Sequence, residues 1–163
     1  MCNPAVIPII TMALTAAGGV AQAQSQKAEA RYDAAVAQNN AKVADNQANT
    51  ELQIGNIEEE QQRRKVRQML GAQRVALAAN NVELSSGSAL DLQTETAGFG
   101  EEDALTIRAN AARRAWGYQV DAGNSRAAAE GAKARGNNQA TATYLGTATK
   151  LAGQGYDYYK SKR

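Results

Sequence analysis

The chain has 163 residues, 18 basic and 16 acidic side chains, no histidine, one cysteine and 5% aromatic residues, with net charge +2 and mean hydropathy −0.49. So few aromatics exclude a thick globular core, and the lack of histidine and of a second cysteine excludes an intrachain disulfide and the usual zinc sites. The two prolines are Pro4 and Pro8, so nothing beyond residue 8 forbids helix.

Residues 1–26 carry no charge, whereas the remainder has about one charge in every four residues. Within this segment, residues 5–20 hold only two polar side chains, Thr11 and Thr15, whose hydroxyls can return to a helical backbone. As a helix the stretch would be about 25 Å long, close to the roughly 30 Å of a hydrocarbon core. Three readings stand side by side. A signal peptide is suggested by Ala21-Gln22-Ala23, but there is no basic n-region and Pro8 interrupts the run. A buried helix within a helical assembly fits the small residues Ala13, Ala16, Ala17, Gly18 and Gly19. A conditional membrane segment fits them equally, since small residues let helices approach closely in lipid. Cys2 has no apolar stretch before it of the kind a lipoprotein cysteine has, and reads as a small terminal residue.

The chain divides into an uncharged apolar segment (1–26), a first long helix (27–82), a turn (83–90), a second long helix (91–136) and a C-terminal helical segment with a basic tail (137–163). In the first helix alanine recurs at 30, 34, 37, 41, 44 and 48, the alternating steps of four and three of a coiled-coil seam built from the smallest apolar side chain. Val66, Leu70, Leu77 and Leu84 continue it with larger residues. Turn formers cluster at residues 80–88, where Ser88 is placed to cap a helix whose first turn includes Asp91. A second series, Leu105, Ala109, Ala112, Trp116, Val120, Gly123 and Ala127, is the expected partner seam. Folding back at the turn makes neighbours of positions whose numbers sum to about 172. Small then faces small in the alanine region, while Ile54 and Ile57 face Trp116, and Val66 and Met69 face Phe99 and Leu105. Gly98 and Gly100 predict a kink at most.

The fold expected is therefore all-α, a long antiparallel helical hairpin. Its thin seams bury little area, which predicts homo-oligomerisation into a ring or tube. Candidate membrane-contacting residues are Val6, Ile7, Ile9, Ile10, Leu14 and Val20 at one end of the chain, and Tyr144, Leu145, Tyr156, Tyr158 and Tyr159, ahead of a basic tail, at the other. Tyrosines packing on a neighbouring subunit explain the second group equally well. Residues 75–107 hold six acids and no base, and residues 108–163 ten bases against three acids, a polarity that suits head-to-tail stacking or a charged partner.

No catalytic constellation is present: without histidine a nucleophile lacks its commonest base, and Glu58, Glu59 and Glu60 are accounted for by i,i+4 pairing with the bases that follow. No phosphate-binding loop, metal set or cofactor motif occurs, so an enzyme is not expected. Arg63, Arg64, Lys65, Arg67, Arg113 and Arg114 are the candidates for non-specific DNA or partner contact, with acids beside the first cluster arguing against nucleic-acid binding as a primary role.

Three blocks in order carry a resemblance: Met1-Cys2 with Ala5-Val6-Ile7-Pro8; Gly71-Ala72-Gln73-Arg74-Val75-Ala76 leading to Ser85-Ser86-Gly87-Ser88-Ala89-Leu90-Asp91; and Ile107-Arg108-Ala109-Asn110 with Arg113, Arg114 and Trp116. Over roughly residues 1–120 the chain resembles the small internal virion (ejection) protein of short-tailed bacteriophages. The resemblance implies a protein packed in the virion core above the portal, released ahead of the genome, and assembling with other internal proteins into a conduit whose small member lies in the host outer membrane. It assigns no catalytic residue here. The function expected is an ejection protein that helps form the envelope channel for DNA translocation. Its partners are other copies, other internal proteins, the portal and the lipid bilayer. The alternative is a purely structural core or adaptor protein at the portal that never enters a membrane.

Overall fold

The computed structural model describes residues 7–85 and 87–161; Val6, Ser86 and the last two residues of the basic tail lie outside them, as do the side chains of Ile7 and Ile9. Two helices account for nearly all of it, α1 (Ile7–Ala79) and α2 (Gly87–Ser161). Among the described residues there is no strand. Helix α1 runs without interruption through the expected border at residue 26, and α2 continues through Gly98 and Gly100. Threonines do not disturb it because their hydroxyls donate back one turn, as Thr15 does to the Thr11 carbonyl at 2.8 Å.

The chain forms two compact units, one from Met1–Ala41 with Gly123–Arg163, the other from Lys42–Ala122. In each, a stretch of α1 packs antiparallel to a stretch of α2. The second unit contains the turn, and its local chemistry explains where the helices end. Val82 N–H donates to the Leu77 carbonyl (3.0 Å) and Asn81 N–H to the Ala78 carbonyl (3.1 Å), with Asn81 in the left-handed region at φ 52°. This is a Schellman ending, which satisfies carbonyls the last turn would otherwise orphan. Gly87 enters α2 at φ +60°, a conformation that glycine alone adopts without strain. Ser88 consequently lies inside the first turn of α2 instead of capping it, and Asp91 falls beyond that turn. Gln93 braces the turn from within: buried, it donates to the carbonyls of Leu84 (3.2 Å) and Ala89 (3.1 Å) and accepts from Arg74 Nε (2.8 Å).

Among the described residues every buried apolar side chain is alanine. The series at Ala34, Ala41, Ala44 and Ala48 is buried as the alanine spacing predicts, with Val66, Leu70, Leu77 and Leu84 half-buried. The partner seam is not the expected one. Leu105, Trp116 and Val120 are exposed, Trp116 by 66%, and the buried positions are Ala104, Ala111, Ala115 and Ala122. The register explains the correction. Close approaches pair Gly19 with Thr147, Gly136 with Ala30, Gly55 with Ala111 and Gly100 with Val66. Each pair sums to 166, not 172, because the turn is centred three residues earlier, between Ala79 and Gly87. Small does face small, but large does not face large: Ile54, Ile57, Met69 and Phe99 all lie outside the seam.

These pairs also recur at eleven-residue steps, 19 to 30 in α1 of the first unit and 55 to 66 in the second. In the second unit the seam positions of α1 step by four, three and four from Ala44 to Gly55, Val66 and Leu77, and those of α2 likewise from Ala89 to Gly100, Ala111 and Ala122. An eleven-residue repeat is 3.67 residues per turn, near the helix's own 3.6 and on the opposite side of it from a heptad. The seam is thus hendecad in type on either side of residues 30–48, where the spacing of four and three read from the alanines holds.

Two glycines separated by two residues test this. A Cβ at Gly100 would overlap Val66, whereas one at Gly98 meets nothing within 4 Å. Gly98→Ala is expected to stabilise by about 0.5–1 kcal/mol through helix propensity, and Gly100→Ala to destabilise by about 1–3 kcal/mol through overpacking, in urea melts followed by circular dichroism. At the turn, Asn81→Gly should be neutral or stabilising, while Asn81→Val should lose about 1–2 kcal/mol by forcing a β-branched residue left-handed.

Candidate functional site

In an antiparallel pair, residues that follow a seam position on either helix share one flank, and residues that precede one share the other. The contacts obey this. Arg63 and Glu101, which follow Gln62 and Gly100, meet at 2.7 Å, and Lys27 and Tyr144, which follow Gln26 and Thr143, meet with Nζ 5.5 Å from the ring centroid.

Of the six cations singled out in the sequence, two are spent within the second unit. Arg63 bridges Glu101 (2.7 Å) and the buried Glu59 (3.0 Å), and Arg114 Nε donates to Glu51 at 2.7 Å. The hydrogen bond from Arg114 to Glu51 raises the guanidinium above its ordinary value. Arg113 leans on Asn110 of its own helix at 3.2 Å. Arg64, Lys65 and Arg67 are exposed, Arg67 along a groove that Glu101 of α2 also lines. The cluster is therefore split between latching the helices together and facing solvent. The acid-rich start of α2 lies against the base-rich end of α1, so part of the predicted polarity is neutralised inside this unit, as the Arg63–Glu101 pair shows. A charge difference survives between the units: nine bases and four acids in the first, nine bases and twelve acids in the second.

The apolar candidates lie in the first unit, on its surface. Ile10, Leu14, Val20, Tyr144, Leu145, Tyr156 and Tyr159 are exposed, Leu14 by 67% and Leu145 by 65%; Tyr158 is half-buried. Ala23 of the Ala-x-Ala sequence is fully buried within α1. Among the described residues no helix is long and apolar enough to cross a membrane. Open grooves lie between the helices, lined in the first unit by Glu29, Asp33 and Arg135 on one flank and by Lys27, Arg31 and Lys133 on the other. These flanking charges and the exposed glycines beside them gave no signal in the sequence, because their sidedness depends on the register.

Among the described residues no group of histidine, cysteine or carboxylate side chains could hold a metal ion. The model of the T7 virus internal virion protein gp14 family matches residues 1–163. The chain belongs to that family. No curated protein and no solved structure matches it. Family membership places the protein among internal virion proteins, and its surface carries many exposed apolar side chains.

The division of the cations is testable. Replacing Arg64, Lys65 and Arg67 together with glutamine should leave stability within about 0.5 kcal/mol, as for surface positions without partners. Arg63→Met should cost about 1 kcal/mol, the upper end for exposed pairs, because Glu59 loses its cation while nearly out of water. Urea denaturation of the two variants decides it.

Proposed function

We propose that this internal virion protein is an ejection protein, which leaves the particle and, as a helical homo-oligomer in ring or tube form, helps build the channel across the host envelope through which DNA passes. The observation that carries the reading is the inverted use of apolar residues: among the described residues, alanine inside and twenty-two exposed large hydrophobic side chains outside. A surface so apolar is compatible with a packed particle or with lipid, and poorly compatible with a free monomer in water. Proteins of this kind exchange one set of covers for another when they are released.

Lipid contact belongs, in this reading, to the surface of an assembly. The outward side chains Ile10, Leu145 and Tyr156 of the first unit supply the apolar patch, and no single helix has to cross a bilayer. The other internal proteins and the portal are the partners within the particle, and Arg64, Lys65 and Arg67 the residues available to DNA. The lack of a membrane-crossing helix among the described residues favours a second reading, a core or adaptor protein that stays at the portal.

Liposome flotation of the purified protein separates them. Wild type should float with vesicles, and Leu145→Lys should not, since a charge near a bilayer centre costs about 2.5–3.5 kcal/mol on the insertion scale. Because Leu145 is exposed and faces away from α1, the variant should melt like wild type. Failure of wild type to float, together with retention in particles after genome release, would leave the adaptor reading in its place.

A further inference from the structure

The two flanks of the first unit differ in charge and in shape at matching heights. On the flank formed by residues preceding the seam, Glu29 and Asp33 line a groove with Arg135. On the opposite flank, over the same stretch of helix, Lys27 and Arg31 line a groove with Lys133. One side therefore carries two acids and one base, the other three bases, and the heights agree because both sets use residues 27–33 of α1.

The next turns toward the chain ends repeat the contrast in shape. The acidic flank continues into Gly18 and Gly146, where an added Cβ would meet nothing within 4 Å. In register these two positions are nearly level. The basic flank continues into Val20 and Tyr144, both exposed and level with each other in the same register. Glycine inside an exposed helix weakens it relative to alanine. Nothing in the hairpin itself uses the space these two leave open.

We propose that copies of this chain associate side by side in the same orientation, the basic flank of one against the acidic flank of the next. Val20 and Tyr144 seat over the bare backbone at Gly18 and Gly146, and Lys27 and Arg31 meet Glu29 and Asp33 of the neighbour. The contact is heterologous, with different surfaces on its two sides and no vertical offset. Repetition about an axis parallel to the helices then closes a ring. Charge and shape together select this orientation, since turning one copy end over end either sets like flanks together or, with the charges matched, carries Val20 and Tyr144 away from Gly18 and Gly146. The inference deepens the oligomer of the proposed function and rests on it, but holds for a ring in the particle or in the envelope.

Sedimentation velocity of the full chain, at low and high salt, is the test. Lys27→Glu with Arg31→Glu, and separately Glu29→Lys with Asp33→Lys, should each weaken association by about tenfold or more, and the quadruple exchange should recover most of it. Gly146→Leu should raise helix stability in a thermal melt while weakening association to a similar degree. Variants that assemble as well as wild type would overturn this interface and leave the oligomer standing. A wild-type chain that stays monomeric at every concentration would overturn both.

Discussion

At four places the backbones of the two helices come so close that a side chain on one meets bare glycine on the other: Thr147 on Gly19, Ala30 on Gly136, Ala111 on Gly55 and Val66 on Gly100. Interior packing tolerates neither voids nor overlap, so the narrowest points dictate what can stand between them. That is why alanine supplies the fully buried apolar positions of the seam, with Val66, Leu70 and Leu77 only half-buried in it, and why the largest apolar residues are turned outward. The hairpin's own core is consequently thin, and helices with so little buried area draw their stability from what surrounds them. The exposed Trp116, Phe99 and Leu14 follow from the same constraint as the buried Ala111.

Helicity, the pairing of two long helices, the position of the turn within residues 80–90 and the buried alanines at 34, 41, 44 and 48 were legible in the sequence. Each rests on local signals: period, lack of proline, and clustered turn formers. Register was not legible, because it depends on which contacts are tightest, and matching large residues with large ones assumes a seam wide enough to hold them. A displacement of one residue turns a helix face by about 100°, enough to exchange Ala115 for Trp116 as the inward side chain. The glycines held the better signal, since Gly55 and Gly100 stand opposite residues that fit only against them.

The same dependence governed the cations. The i,i+4 pairing of Glu59 with Arg63 was legible, but the bonds of Arg63 to Glu101 and of Arg114 to Glu51 were not, because those acids stand far away in the chain and come near only through the register. Arg64, immediately beside Arg63 in sequence, and Lys65 are exposed. Among the described residues the chain's buried apolar side chains are alanines, and its large apolar side chains are mostly exposed.

The eleven-residue spacing of the close approaches also governs how such a chain can change in length. Removing eleven residues from α1 would carry each glycine to the next equivalent position, but α2 must lose the same block for partners to meet again. A deletion of one or two residues on either helix would rotate alanines out of the seam and bring bulky side chains in. Length variants that keep this packing should therefore differ in whole repeats, taken in matched pairs from the two arms, with the turn and its left-handed Asn81 carried along unchanged.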